Sequence, residues 1–186
     1  MKRVLGSILL VIFLLGCSKQ DKSVDNALVI RQQIANSSEL SFNCIITADY
    51  LNYAYEFKLH CKQKAEDVLE FTVVEPDSIE GINGEFSSKD GKIMFDDKYL
   101  TFPLLADDVL SPIATPWIFI HALKGGYIHS AGNDNGFTRV TIDDTFDSTK
   151  FQIDIWLDDN NIPTSGQIIW DGQKILSFIV TDFTCV

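Results

Sequence analysis

The chain has 186 residues, of which 15 are basic and 26 acidic, so its formal net charge is −11 at pH 7. An acidic surface repels nucleic acid and anionic lipid headgroups, and we expect neither as a partner. The length suits one domain with a full hydrophobic core, and the sequence contains no internal repeat.

The first residues have the layout of an export signal. Lys2 and Arg3 precede the twelve residues 4–15, of which only Gly6 and Ser7 are not large and apolar. Twelve helical residues span about 18 Å, which is shorter than the ~30 Å hydrocarbon core of a bilayer. The segment is therefore predicted to be a signal peptide and not a transmembrane helix.

Cys17 ends this signal. Leu14-Leu15-Gly16-Cys17 resembles the lipobox of bacterial lipoproteins, in which the cysteine sulfur receives a diacylglyceryl group and the chain is cut just before it. The predicted divisions are a signal peptide (residues 1–16), a lipidated N-terminus and tether (17–24) and a folded domain (25–186). Two acyl chains anchor a protein stably where one holds only marginally.

The predicted location follows from this anchor. Cleavage removes Lys2 and Arg3 and no acidic residue, which leaves 13 basic and 26 acidic residues and a net charge of −13. Attachment to the membrane is therefore expected through the lipid and not through a basic patch. We predict the outer face of the cytoplasmic membrane, or the outer membrane in a Gram-negative cell, where Ser18 after the cysteine would not retain the protein at the inner membrane.

The residues after the tether predict one amphipathic helix over 25–37. Asp25 suits an N-cap, and Ala27, Ile30 and Ile34 fall on one stripe. Beyond it the apolar period changes to two, which predicts half-buried antiparallel strands. The alternating residues of the first two strands are Phe42, Cys44, Ile46, Tyr53, Tyr55, Phe57, Leu59 and Cys61. Residues 68–75 (VLEFTVVE) are apolar at successive positions, which predicts a strand covered on both faces.

Turn residues divide the remaining strands. Asp90-Gly91 and Asp171-Gly172 have the sequence that two-residue hairpin loops favour. The strands predicted around these turns and elsewhere are 84–89, 92–95, 98–102, 127–131, 136–142, 150–157, 167–170 and 173–182. The expected total is about eleven strands in an antiparallel meander.

Residues 111–128 (SPIATPWIFIHALKGGYI) break the strand pattern. Thr115 can cap a helix with Pro116 in its first turn, the apolar run reaches Leu123, and Gly125-Gly126 ends it. A helix with almost no polar face must be covered nearly all round. We therefore predict that it fills the hollow of a curved sheet.

These features together resemble the LolA/LolB-like lipoprotein superfamily. The lipidated leader, the N-terminal helix, the long meander and the SP…PW…AL…GGYI helix are most similar to small exported lipoproteins of Gram-positive anaerobes and to the germination lipoprotein GerS. The resemblance covers residues 25–186 and implies a mainly β, unclosed barrel with helices in its concave face. LolA and LolB bind acyl chains in that hollow and GerS supports a cell-wall amidase, so the fold alone does not determine the function.

Aromatic residues are abundant enough to suggest a ligand in the hollow. The candidate lining residues are Tyr55, Phe57, Phe71, Trp117, Phe119 and Trp156. The leading expectation is a lipid or acyl chain bound in the hollow. The alternative function is a scaffold that binds another envelope protein along the sheet edge, with the aromatic residues serving only as core.

The sequence offers no catalytic or metal-binding constellation. His129 lies next to Ser130, but neighbours in a strand point to opposite faces. His60 lies on the polar side of a strand, and His121 lies within the apolar helix. No Cys or His pair has zinc spacing. The aspartate doublets at 96–97, 107–108, 143–144 and 158–159, with Asp134 and Asp147, follow no calcium-loop spacing and suit turns. We predict no enzyme activity, no cofactor and no metal.

Three cysteines remain in the domain. Cys44 and Cys61 lie directly opposite each other if the turn between their strands centres on Asn52-Tyr53, and become diagonal neighbours if it shifts by one residue. A Cys44–Cys61 disulfide and two reduced core thiols are both compatible with export. Cys185 is either free or paired with one of them.

Overall fold

A computed structural model describes residues 22–50, 53–95, 98–106, 109–146 and 149–186. Its helices are α1 (Ser23–Asn36) and α2 (Thr115–Gly125), with 3-10 turns at Asp77–Ile79 and Pro112–Ala114. Its strands are β1 (Leu40–Tyr50), β2 (Tyr53–Ala65), β3 (Val68–Glu75), β4 (Asn83–Phe86), β5 (Gly91–Phe95), β6 (Lys98–Phe102), β7 (Leu105–Ala106), β8 (Val109–Leu110), β9 (Tyr127–Asp134), β10 (Phe137–Phe146), β11 (Thr149–Leu157), β12 (Pro163–Trp170) and β13 (Gln173–Cys185).

Eleven strands form one antiparallel sheet in the order β6-β5-β4-β3-β2-β1-β13-β12-β11-β10-β9, and β7 pairs with β8 separately. Because β1 pairs with β13, the first and last strands of the chain meet in the middle of the sheet. Within the described strands, β6 and β9 form the two ends and do not pair with each other. The fold is a curved, unclosed half-barrel with helices, which confirms the predicted fold class.

The concave face of the sheet forms the core, because apolar residues alternate along its strands. Phe42, Cys44 and Ile46 of β1 are fully buried, as are Leu59 and Cys61 of β2. The predicted stripe of α1 is buried too, and it packs the helix near β9 and β10. The period-two pattern therefore identified the inner face of these strands correctly.

Helix α2 lies in the hollow, as its apolar sequence predicts. Its buried residues are Thr115, Pro116, Trp117, Ile118, Phe119, Ile120, Ala122 and Leu123. The Phe119 ring lies 5.7 Å from that of Phe42 and 5.2 Å from that of Phe178, so α2 packs against the central strands β1 and β13. These aromatic contacts hold the helix on the sheet.

Arg31 of α1 caps the C-terminal end of α2. Its guanidinium donates hydrogen bonds to the carbonyl oxygens of Leu123 (2.7 Å), Gly126 (2.6 Å) and Ala122 (3.4 Å). The last carbonyls of a helix lack partners within the helix and carry partial negative charge, so a cation is stabilising there. Partial burial lowers the pKa of Arg31 from its usual value by desolvation. This contact joins the two helices to each other.

The prediction that β3 is covered on both faces is wrong. Leu69, Phe71 and Val73 are buried, but Thr72 is exposed and Val74 only half-buried. Valine and threonine favour strands through their branched side chains even where the face is open to water. Successive apolar residues therefore did not require a second covering layer here.

The two Asp-Gly pairs behave differently. Asp171 (φ 48°) and Gly172 (φ 74°) form the predicted two-residue loop between β12 and β13, where Trp170 faces Gln173. At the other site Phe86 faces Gly91, so the loop is the four residues 87–90 and Gly91 belongs to the strand. A Cβ at Gly91 would lie 2.4 Å from the Phe102 ring, so this glycine is needed for packing and not for a turn.

Candidate binding surfaces

The structure distributes the six proposed lining residues over three environments. Phe71, Trp117 and Phe119 are buried in the core between α2 and the sheet. Phe57 is half-buried and packs against the same core. Tyr55 is more than half exposed, although its pairing with the buried Ala48 places it at a concave-face position.

Trp156 does not lie in the hollow. Ile153, Ile155 and Leu157 of β11 are buried in the core, so alternation directs Trp156 to the convex face. Its indole N–H donates a hydrogen bond to the Asp134 carboxylate (2.8 Å) on that side. The sequence interpretation grouped Trp156 with the other aromatic residues by type and overlooked its position in the period-two pattern.

The space between α2 and the sheet is largely filled. A cavity beside Trp117, Ile120 and Leu69 has a volume of about 20 Å³, which suits one water molecule and not an acyl chain. Two larger grooves also border α2: one of about 420 Å³ touches Trp117 and His121, and one of about 450 Å³ touches Lys124. Polar contacts close this end of the hollow: Trp117 donates to the Asp67 carbonyl (3.3 Å) and Lys124 to the Glu66 carbonyl (2.9 Å). Helix α2 is thereby tied to the turn between β2 and β3.

The β5–β6 hairpin exposes large apolar side chains at one end of the sheet. Met94, Phe95, Tyr99 and Leu100 are 42%, 66%, 72% and 68% exposed. We call these four residues the edge patch. Met94 faces Tyr99 in the pairing of the two strands, whereas Phe95 and Leu100 fall on the concave side, in register with the half-buried Phe102. The hairpin therefore presents apolar surface on both of its faces.

The other side of β6 has no strand partner among the described strands. Natural edge strands commonly carry charges, proline or bulges that prevent pairing with another chain. Lys98 is the sole charged residue of β6. An apolar, unpaired edge strand is the arrangement that accepts an additional strand from a partner.

Each of the three histidines shares a hydrogen bond with an amide or carboxylate side chain. His60 is hydrogen-bonded to Asn43 (2.9 Å), His129 to Asp143 (3.0 Å) and His121 to Asp144 (2.8 Å). His121 also stacks on the Trp117 ring, with centroids 4.7 Å apart. Over the residues that the structure describes, no group of three or more His, Cys, Asp or Glu side chains is arranged to hold a metal ion.

We expect His121 to make folding stability depend on pH. The hydrogen bond that protonated His121 donates to the Asp144 carboxylate raises the pKa of His121 above its usual 6.5. The resulting stabilisation is fully present below the unfolded-state pKa and is lost as pH rises through the higher folded-state pKa. The stability difference between wild type and His121→Gln should therefore shrink from about pH 5.5 to about pH 9, measured by urea unfolding. Asp144→Asn should show the same decrease of the stability difference with rising pH. A dependence of stability on pH that matches wild type in both variants would contradict the His121–Asp144 hydrogen bond.

The acidic doublets serve as hydrogen-bond acceptors where they are described. Asp143 and Asp144 bind the histidines named above, and the Asp158 carboxylate accepts the backbone N–H groups of Asn160 and Ile162, both at 2.8 Å. The last pattern is the local turn chemistry expected of aspartate. Residues 96–97, 107–108 and 147 lie outside the described part of the chain.

Cys44 and Cys61 are diagonal neighbours on the concave face, because Cys44 faces Leu59 and Cys61 faces Phe42. The turn is thus shifted by one residue from the arrangement that would place them directly opposite. Both are buried free thiols, and desolvation raises the pKa of each. Cys185 is a half-buried free thiol opposite Leu40. The Cys44–Cys61 disulfide stays a prediction.

Cys17 and the whole predicted signal lie outside the described residues. Among the residues described, no helix is long and apolar enough to cross a membrane.

The edge patch is the feature that the sequence interpretation missed. The sequence predicts a strand over residues 98–102. Apolar residues at 93–95 and 99–100, on either side of Asp96-Asp97, indicate a hairpin with apolar residues on both faces. What the sequence did not reveal is that this hairpin ends the sheet, since strand order depends on long-range pairing.

No protein-family model and no curated protein matches the sequence. Solved structures match over most of their length. A LolA superfamily protein from Nitrosomonas europaea is 10% identical, with 86% of this chain and 93% of that chain covered and a TM-score of 0.46. The structure of the CwlD amidase from Clostridioides difficile in complex with the GerS lipoprotein matches at 12% identity. It covers 91% of this chain and 99% of that chain, with a TM-score of 0.43. The lipoprotein LppX from Mycobacterium tuberculosis is 8% identical, with 87% of this chain and 92% of that chain covered and a TM-score of 0.39. These solved structures are what the chain is similar to, at TM-scores below 0.5, and nothing about function follows from the similarity.

Proposed function

We propose that this protein is an exported, lipid-anchored protein of the bacterial cell envelope that has no catalytic activity and binds another envelope protein at the edge strand β6. The observation that carries this proposal is the edge patch at the end of the sheet, where one side of β6 has no strand partner among the described strands. A partner strand added to β6 would satisfy the free backbone groups and cover Tyr99 and Leu100.

The filled hollow supports a protein partner over a ligand within the fold. A carrier needs a connected apolar cavity, whereas the cavity beside Trp117 and Leu69 holds about 20 Å³. Two larger grooves of about 420 and 450 Å³ also reach α2, but charged side chains border both of them. A scaffold needs a packed core and an exposed apolar surface, and the edge patch is such a surface. We therefore place binding of a protein partner ahead of binding of an apolar ligand, which is the reverse of the order expected from the sequence.

The proposed partner surface follows from the chemistry of the edge. Because β6 alternates Lys98, Leu100 and Phe102 on one face with Tyr99 and Thr101 on the other, the partner strand should be apolar at alternate positions. An acidic residue opposite Lys98 would complement its charge.

A crosslinking experiment tests this proposal. A photoactivatable residue at position 101 of β6, introduced into the full-length protein in its native cells, should give one discrete crosslinked species. The double variant Tyr99→Lys/Leu100→Lys should abolish it. Ile179→Lys is the matched control, because Ile179 is 52% exposed on the central strand β13 and should leave the crosslink intact. Equal crosslinking from position 179, or survival of the crosslink in the double variant, would refute binding at β6.

The membrane anchor is tested separately through Cys17. Cys17→Ala removes the thiol that would be acylated, so the protein should move from the membrane fraction to the soluble fraction of the cell. Intact-mass spectrometry of the wild-type protein should show a chain that begins at Cys17 with a diacylglyceryl mass. Membrane retention of Cys17→Ala would contradict lipid anchoring while leaving the edge proposal standing.

An apolar ligand remains the second candidate function. Its supporting observation is that Phe95 and Leu100 extend the concave apolar surface beyond the buried Phe86 and half-buried Phe102, so an acyl chain has a surface to lie on. Native mass spectrometry of the full-length protein in detergent should then show a non-covalent adduct of lipid mass that is lost in Phe95→Lys. A bare protein that also fails to bind an apolar fluorescent probe would remove this candidate.

A further inference from the structure

The convex face carries a groove far from the edge patch. It is bordered by Asp134, Asn135, Phe137, Trp156, Thr164 and Ser165 and has a volume of about 350 Å³. Small-molecule sites usually measure about 300–1,000 Å³ and combine aromatic walls with a few polar groups. The groove lies at β9–β12, at the opposite end of the sheet from β6.

Trp156 is held rigidly at the wall of this groove. Its indole N–H donates to Asp134 (2.8 Å), and the guanidinium carbon of Arg139 lies 5.5 Å from its ring centroid. The Thr164 hydroxyl donates to the backbone carbonyl of Trp156 (3.1 Å). An aromatic ring fixed at its polar edge and on one side by a cation loses little further freedom when a ligand packs against it.

A buried carboxylate supports this arrangement from below. Asp154 is 0% exposed although it lies on the convex side of β11, and it accepts hydrogen bonds from Arg139 (2.6 Å), Thr141 (2.7 Å) and Gln167 (2.8 Å). Burying an ion is costly unless its partners are in place. The cluster fixes Arg139, and Arg139 in turn fixes Trp156, which is the supporting layer that preorganised binding sites require.

The charges of the groove restrict its ligand. Asp134 and the net acidity of the chain disfavour an anion, and the Arg139 guanidinium over Trp156 disfavours a cation at the same ring. The remaining surface is two aromatic side chains, with Phe137 41% exposed, surrounded by a carboxylate, an amide and two hydroxyls. A pyranose ring matches this surface because its C–H face is apolar and its rim carries hydroxyl groups that donate and accept hydrogen bonds.

We propose that the Trp156 groove binds a neutral saccharide, with Trp156 and Phe137 packing against the sugar ring and Asp134 and Asn135 bonding its hydroxyls. This site is independent of β6, so failure of either proposal leaves the other intact.

The test uses the indole N–H signals of the three tryptophans in a ¹H–¹⁵N NMR spectrum of the full-length protein in detergent. Soluble tetrasaccharides of N-acetylglucosamine, glucose and mannose serve as probes, and Trp156→Phe assigns the Trp156 signal. At least one probe should shift that signal saturably with a dissociation constant below about 10 mM, while Trp117 and Trp170 stay unchanged. Phe137→Ala should weaken binding at least about tenfold, which corresponds to ~1.4 kcal/mol, whereas Trp170→Phe should leave it unaltered.

Several results would overturn the proposal. One is the absence of any saturable shift of the Trp156 signal with all three probes. A second is an equal shift of the Trp170 signal, which would indicate non-specific contact. A third is a shift produced by choline but by no saccharide, because that would identify the groove as a cation-binding aromatic site. Full retention of binding in Phe137→Ala would also exclude the proposed contact.

Discussion

Replacing Phe119 with alanine is expected to lower the free energy of unfolding by about 3–5 kcal/mol, the range for a buried phenylalanine whose cavity cannot collapse. Phe119 is fully buried and its ring contacts Phe42 and Phe178 on the two central strands. The loss should appear as a lower urea midpoint with an unchanged slope of free energy against denaturant.

Phe95→Ala is the matched control for this variant. Phe95 is largely exposed in the edge patch, so its loss should change stability by no more than about 0.5 kcal/mol. Similar effects from the two substitutions would contradict the placement of α2 in the core.

Replacing Asp154 with alanine is expected to destabilise the fold by about 1–3 kcal/mol, the cost of leaving buried hydrogen-bond donors without an acceptor. The change deprives Arg139, Thr141 and Gln167 of their common acceptor. Asp154→Asn should lower the free energy of unfolding by less, because its amide oxygen can still accept a hydrogen bond. Some loss should remain, because its NH₂ group faces donors and cannot accept from them. Thermal and urea unfolding of both variants measure the difference.

Asp159→Ala provides the comparison, since Asp159 is exposed in the loop after β11 and should change stability by no more than about 0.5 kcal/mol. A wild-type stability for Asp154→Ala would show that the convex cluster contributes nothing, and would remove the support for a rigid Trp156. A large loss of stability together with an altered Trp156 indole signal would show that the cluster both stabilises the sheet and positions the ring.

The two proposed sites lie on different parts of one sheet. The edge patch ends the sheet at β6, and the Trp156 groove lies over β9–β12 on the convex side. Helix α2 fills the concave side between them, held by Arg31 at its end and by Phe119 at its centre. A protein built in this way can contact a partner strand and a saccharide at the same time, because neither contact requires α2 to move.

Local sequence was sufficient for the elements whose signals act over short distances. The α1 stripe of Ala27, Ile30 and Ile34, the nearly unbroken apolar run of α2 and the Asp171-Gly172 turn were all read correctly, since helix periodicity and positive φ are properties of neighbouring residues. Two further signals were present but overlooked. Asn135-Gly136 (φ 52° and 91°) forms the two-residue loop between β9 and β10. The period-two pattern of β11 places Trp156 on the other face of the strand from Ile155.

Tertiary structure decided the features that depend on distant pairing. Register made Cys44 and Cys61 diagonal rather than opposite, and strand order made β6 an end of the sheet. The burial of Asp154 on the convex face requires Arg139 and Gln167 from two other strands. The sequence by itself therefore determined where the two helices and most of the strands lie, and which strand face is apolar in β1 and β2. Only the fold decided that the hollow is filled and that the exposed apolar surface lies at the edge, because packing is a sum over contacts between residues far apart in the chain.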